Sequence, residues 1–494
     1  MRDLLNASSQ RVIEILETLV DHEGWVTTAE IAETVRSSER TVSKDIAVLK
    51  KRWGQGLGID ISTKNGIRLN NRNVATVSKV FIDIFNESTA LQWIREMLFN
   101  PGKGIEFYED KIFTSRSTLI RLLPRINRFL AKRNMAVKYE GNRYELIGED
   151  EQYLRQFFTG FLLELNGLDL SGYRIDFDLG VLGHLVSGIL EHNLDEFGWS
   201  FVAHDDIATV YYMMFYLVSL VRENQGHTVA SEHQTDGEID ADQLSYIKSR
   251  FPRVTEVNLR PIHSFIVSQY CGWDSEEEEA LVTREADAFS ERLAKATNVS
   301  FDKEMLQQIR FVMRSLYLTA KTRPYRTSEL FDRIHYFALS IEKSNPPLYE
   351  MFQSNLAVFS QNIQFDVSLH SDSIVFWLCL TCPELVLAPP RKRVLVVSDF
   401  GQQHATFLAR SIKNLFDKGA ATVVDITPAS YADALMLLAS EEYDIVVTTI
   451  PGMQSQRASV ILVNDYLGYA DFCQLYRELF FRSAPAVASR EPLS

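Results

Sequence analysis

Eight basic residues and no acid lie between positions 111 and 139 of a 494-residue chain whose formal net charge is -14. They are Lys111, Arg116, Arg121, Arg125, Arg128, Lys132, Arg133 and Lys138. Such a run suits contact with phosphate, and arginine adds a fork of donors that also fits base edges. Arg116, Ser117, Thr118, Arg121 and Arg125 are the candidates for contacting DNA. A second candidate set, Arg40, Thr41, Ser43 and Lys44, stands nearer the start of the chain. The competing reading, a solvated helix face, fits less well because such faces usually mix in acids.

Leu119, Leu122, Ile126 and Leu130 recur at helical spacing, so one face is apolar and the other carries the guanidinium groups. Ser117-Thr118 can start the helix, and Pro124 should bend or interrupt it. Residues 135–138 and 144–147 read as strands around Gly141-Asn142, which makes the pattern helix then wing. Residues 8–70 show the same plan. Val12, Ile15, Leu16 and Leu19 pattern a first helix, Thr27-Thr28 cap a second, and a turn at 36–38 leads into a third. In that third helix Val42, Ile46 and Leu49 face inward, and a hairpin around Lys64-Asn65 follows. The expected domains are winged helix-turn-helix units at 1–72 and 73–150.

Charge divides the chain in the same place. Residues 1–150 carry a net +3 and the remainder a net -17, so only the front suits an anionic partner. No signal peptide is legible, and no uncharged run is long enough to span a bilayer. Cys379 and Cys382 lie in an apolar stretch without a second pair or a nearby histidine, which favours packing over metal or redox chemistry. No cofactor, metal site or enzymatic activity is expected.

Long amphipathic helical patterns fill 151–297 and 298–388 and read as two all-helical bundles. A linker follows at 388–393. The pattern then turns α/β over 391–482, with Val394–Val397 as a buried parallel strand, a loop at 398–405 and a helix at 406–416. The tail 483–494 reads as disordered. The fold class is thus multidomain and mainly α, closing on a parallel sheet.

This order of parts resembles the Mga/AtxA-like family of Gram-positive virulence regulators, most specifically in TSRSTLIRLLPRINRFL with its wing and Gly148-Glu149. The resemblance implies a cytoplasmic transcription factor that binds promoter DNA. The acidic helical body and the α/β end read as association surfaces, so a homodimer or higher oligomer is expected. The resemblance likens the bundles to phosphotransferase-system (PTS) regulation domains, or PRDs. Their histidines would accept phosphate from HPr, and His184, His204, His263, His335 and His370 are the candidates. It likens the last domain to EIIB. Phosphate-carrying EIIB domains have a cysteine directly after the first strand, where this chain has Ser398. A serine hydroxyl lacks thiolate chemistry, so the domain is expected to be silent and to serve association. Two alternatives stay open, an RNA-binding PTS-type antiterminator and a PTS phosphotransfer component.

Overall fold

The computed structural model describes residues 2–22, 24–166, 177–203, 205–229, 240–297, 299–323, 333–387, 392–416, 424–440 and 442–480. They form two compact units, Met1–Glu279 with Arg314–Arg333, and Ala280–Met313 with Ile334–Ser494.

The first unit opens with α1 (Ala7–Asp21), α2 (Thr28–Thr34), α3 (Glu39–Leu57), β1 (Ile59–Ser62) and β2 (Gly66–Leu69). Thr27 and Glu30 close a reciprocal capping box on α2. Val42, Ile46 and Leu49 are buried under α3, as their spacing requires. Buried Asp45 holds α3 to α1 by accepting from Arg11 Nε at 2.5 Å and Ser8 Oγ at 3.3 Å. Val26, ahead of α2, exchanges two 2.8 Å backbone bonds with Ile67 of the wing. That approach explains Gly66, whose φ is +98° and where a Cβ would stand 2.2 Å from the Val26 carbonyl.

The plan repeats in α4 (Val74–Asn86), α5 (Thr89–Phe99), α6 (Ile105–Ile112), α7 (Arg116–Ala131), β3 (Met135–Glu140) and β4 (Arg143–Gly148). Here Lys103 takes the place of Val26, and its carbonyl accepts from Tyr144 of the wing at 3.1 Å. The expected wings form in both units. Two expectations about α7 need correcting. Ser115, not Ser117-Thr118, is its N-cap. The helix also runs on through Pro124, because the bond lost there lies on an exposed face where the freed Ile120 carbonyl can meet water.

The first bundle contributes α8 (Glu151–Asn166), α9 (Leu179–Asn193), α10 (Glu196–Val202), α11 (Asp206–Gln225), α12 (Ala241–Arg250) and α13 (Glu256–Cys271), while α14 (Glu276–Thr297) and α15 (Lys303–Thr322) each have residues in both units. The short α10 and α12 escape a reading by periodicity. Four charged residues lie at its junction with the second wing. Arg222 of α11 donates to both Glu151 oxygens at 2.7 Å and to the Leu146 carbonyl of β4 at 3.4 Å. Arg155 donates to Glu223 and to the His227 carbonyl, each at 2.7 Å. The His227 ring reaches Glu145 of β4 at 3.0 Å. Arg155, Arg222 and Glu223 have essentially no exposed side chain.

In the second unit come α16 (Arg333–Ser344), α17 (Pro346–Ile363), α18 (Ser371–Thr381) and α19 (Pro383–Leu387). The α/β domain follows as β5 (Lys392–Val397), α20 (Gln402–Phe416), β6 (Val424–Ala429), α21 (Tyr431–Ser440), β7 (Ile445–Thr448), β8 (Ser459–Leu462) and α22 (Tyr469–Phe480). Its sheet is parallel in the order β6-β5-β7-β8. Val394 and Val396 face α20 and α22, while Leu395 and Val397 face α21. α20 begins at Gln402 rather than at 406, and β5 begins inside the expected linker. Lys392 there is buried and donates to the Glu478 carbonyl at 2.7 Å.

Two stability outcomes follow from the charged junction. Arg222→Ala leaves Glu151 buried without its main partner and should cost about 3–5 kcal/mol in denaturant unfolding. Replacing Arg222 by Met and Glu151 by Leu together should cost much less. Burial alone would push the Glu151 carboxyl up, but the hydrogen bond and charge of Arg222 outweigh it and hold the group below its ordinary 4.5. Glu151 therefore contributes stability above pH 4.5 that fades as pH falls through the lower folded value. An acid titration of the unfolding midpoint should show this loss, and Arg222→Ala should flatten it.

Candidate nucleic-acid interface

α3 and α7 are each the last helix before a wing, and each starts after a turn with one left-handed residue, Arg36 at φ 49° and Phe113 at φ 56°. Ser38 and Ser115 cap them by accepting from the backbone of Thr41 and Thr118. Each cap also bonds the hydroxyl of that threonine, at 2.8 Å for Ser38 to Thr41 and 2.9 Å for Ser115 to Thr118. Ser117 lies 2.9 Å from the same Ser115 hydroxyl. Thr41, Ser117 and Thr118 are thus tied into the caps.

Arg40, Ser43 and Lys44 stand exposed on α3, and Arg116, Ser117, Arg121 and Arg128 on α7. Counted from the caps, Lys44 and Arg121 are both the sixth residue. Among the described residues, the side chains of Arg40, Lys44, Arg121 and Arg128 make no hydrogen bond or ion pair. Arg116 differs, because its side chain meets Glu106 of α6 at 3.3 Å and its backbone N–H meets the Glu109 carboxylate. The Glu106 carboxyl is held below the ordinary range by its own backbone N–H, by Asn142 of the wing and by the charge of Arg116. Arg125 is half-buried and donates to the Leu5 carbonyl at 2.6 Å. It therefore ties α7 to the start of the chain, beside the Lys132–Asp3 pair at 3.4 Å. Periodicity could not separate Arg125 from Arg121, since the partner lies 120 residues away.

The candidate histidines fall in unlike surroundings. His184 is exposed on α9, and His204 lies outside the described residues. His263 sits 2.9 Å from the Tyr216 hydroxyl, and burial pushes its pKa down to about 4. His335 is 39% exposed, with Nδ1 at 2.9 Å from Asp372. His370 is half-buried at the start of α18. Burial, then the neighbouring Cys382, pushes the Cys379 thiol up to about 12, far from a reactive thiolate.

In the α/β domain Ser398 is buried, with Oγ 2.7 Å from His404 Nδ1. His404 Nε2 lies 2.8 Å from the Asp465 carbonyl. That carbonyl can only accept, so Nε2 carries a proton, and in the tautomer with Nδ1 bare Ser398 donates to Nδ1. The Ser398 oxygen also accepts from Phe400 N–H at 3.0 Å.

Two family models match the front of the chain. The M protein trans-acting positive regulator (MGA) HTH domain matches residues 8–65, and the Mga helix-turn-helix domain matches 73–162. A "Putative trans-acting regulator" of Streptococcus pneumoniae serotype 4 is 31% identical over 164 residues, 33% of this chain and 32% of that protein. "Capsule synthesis positive regulator AcpB" of Bacillus anthracis is 21% identical over 220 residues, 44% of this chain and 43% of its own. "Capsule synthesis positive regulator AcpA" of the same organism is 20% identical over 152 residues, 31% of each chain. The chain thus spans under half the length of the curated relatives it matches. These findings bear out the likeness to the Mga/AtxA-like regulators.

The geometry ranks the arginines against duplex DNA. Lys44→Ala and Arg121→Ala should each weaken binding uniformly, with a salt slope reduced by about one per lost phosphate contact. Arg116→Ala should lose less, because Glu106 already competes for that guanidinium. Arg125→Ala should instead lower the thermal midpoint. Titrations at several salt concentrations, paired with melting curves, check the order.

Proposed function

We propose that this chain, whose front carries both Mga-type helix-turn-helix domains, is a DNA-binding transcriptional regulator rather than an enzyme. The supporting observation is the pair of capped helices in one unit, each holding an unpaired basic residue at the same place, Lys44 and Arg121. Two such helices suit a long promoter site. The names of the relatives point the same way, since all are called regulators and two are called positive regulators of capsule synthesis. Electrophoretic shift of the full chain with a random duplex pool and with hairpin RNA, over a salt series, tests this reading. Preferred binding of duplex is expected, and equal or preferred binding of the RNA would sink it.

The finer parts of the proposal concern control and assembly. We read the helical bundles as PTS-regulation-like domains that take phosphate from HPr. Among the described candidates His335 has the best surroundings, a half-exposed ring with one nitrogen held by a carboxylate. The new phosphate would add about -1.5 to -2 charge beside Asp372. His263 is the poorest, being half-buried with its Nε2 engaged by the Tyr216 hydroxyl. We read the last domain as EIIB-like and silent, because the residue after its first strand is a serine closed in by His404. Its exposed Phe400, Phe407 and Tyr466 support association with a second copy.

Incubation with enzyme I, HPr and phosphoenolpyruvate should place acid-labile phosphate on His335, and Asp372→Asn should reduce its yield. Label on none of the bundle histidines would remove phosphate control. A chain ending at Pro390 should scatter light as a smaller species than the full chain, and an unchanged mass would move the association into the bundles.

A further inference from the structure

On the exposed arc of α7 one residue does not suit water. Ile120 is 51% exposed, with Arg116, Ser117, Arg121, Pro124 and Arg128 on the same arc. Arg116 and Pro124 lie one turn to either side of it, and Arg121 follows it. It is the fifth residue after the cap, the place that Ser43 takes on α3. It therefore sits in the first half of the helix, the part that meets base edges when a third helix enters a major groove.

We infer that Ile120 is a specificity-determining residue that packs on the C5-methyl group of a thymine in the major groove. This rests on the reading of α7 as a DNA-contacting helix and adds what it reads. Charge selects the occupant. Arg121 follows the apolar side chain and Arg128 lies two turns on along the same exposed arc, and the side chains of both have no partner among the described residues, so what covers Ile120 must bring negative charge to this arc. Duplex DNA offers phosphates around an apolar methyl group, and thymine alone presents one in the major groove. The place in the helix also explains why α3 need not read the same base, since Ser43 there offers a hydroxyl that suits any base.

The test uses the full chain and duplexes selected from a random pool. In a selected duplex each thymine is replaced in turn by deoxyuridine, which removes only the methyl group. At one position the wild-type chain should bind deoxyuridine about three- to five-fold more weakly, the amount expected for one methyl-sized apolar contact. Ile120→Ala should bind thymine and deoxyuridine equally at that position, and Ile120→Val should restore part of the difference. Because Ile120 is exposed, both variants should melt like the wild type. Indifference of the wild type to every deoxyuridine, or discrimination that survives in Ile120→Ala, overturns the inference while duplex binding stands. Failure to select any duplex overturns the DNA-binding reading itself, and the inference with it.

Discussion

Arg155, Arg222 and Glu223, buried from water, and the half-buried Glu151 join the second wing to the first helical bundle. Removing such ions from water costs several kcal/mol each, and only close pairing offsets it. Arg222 and Arg155 achieve that by sharing Glu151, while Glu223 also accepts from Asn258 at 2.8 Å. Arg155 Nη1 has no partner among the described residues, so the cluster is not fully satisfied. Its value is better understood as specification than as net stability. An apolar core would let α8 and α11 slide, whereas these bonds have one register. Because Arg222 and His227 also reach β4, a shift of α11 is felt at the wing. The second family match runs past the wing to residue 162, and so takes in Glu151 and Arg155.

The winged units were legible because their signals are local. Capping residues stand next to the helices they start, and Val42, Ile46 and Leu49 announce a face by spacing alone. Long-range partners were not legible. Nothing near Arg125 in sequence points to the Leu5 carbonyl, and nothing near Arg116 separates its pairing with Glu106 from a free arginine. The start of α7 was misread because Thr114, Ser115, Ser117 and Thr118 crowd around Arg116 and any of these hydroxyls can cap. Ile120 could have been noticed on a helical wheel as an apolar residue on the polar arc. The short helices α10 and α12 hold too few turns for periodicity to show, and α22 follows a loop that masks its start.

The C-terminal domain shows how a loop can be closed by its own side chains. The parallel sheet alternates its faces between two apolar clusters, and the loop after β5 leads into α20. That loop holds the Ser398 hydroxyl against His404, whose other nitrogen is bound to the Asp465 carbonyl. Both groups are engaged with each other. Such a loop is held by its own bonds and needs no covalent modification to stay in place.

The start of the chain has a consequence for distance. Asp3 and Leu5 bind α7, while Arg2 binds Glu17 of α1 at 2.5 Å. Arg52 of α3 also pairs with Glu87, beyond α4. α3 and α7 are therefore fixed to one another as the points of a caliper, rather than strung on a tether. A caliper measures, so its two points would meet DNA only where two short sequences lie at the right separation and on the matching side of the double helix. Inserting half a turn of base pairs between them would rotate one out of reach, even with both sequences intact.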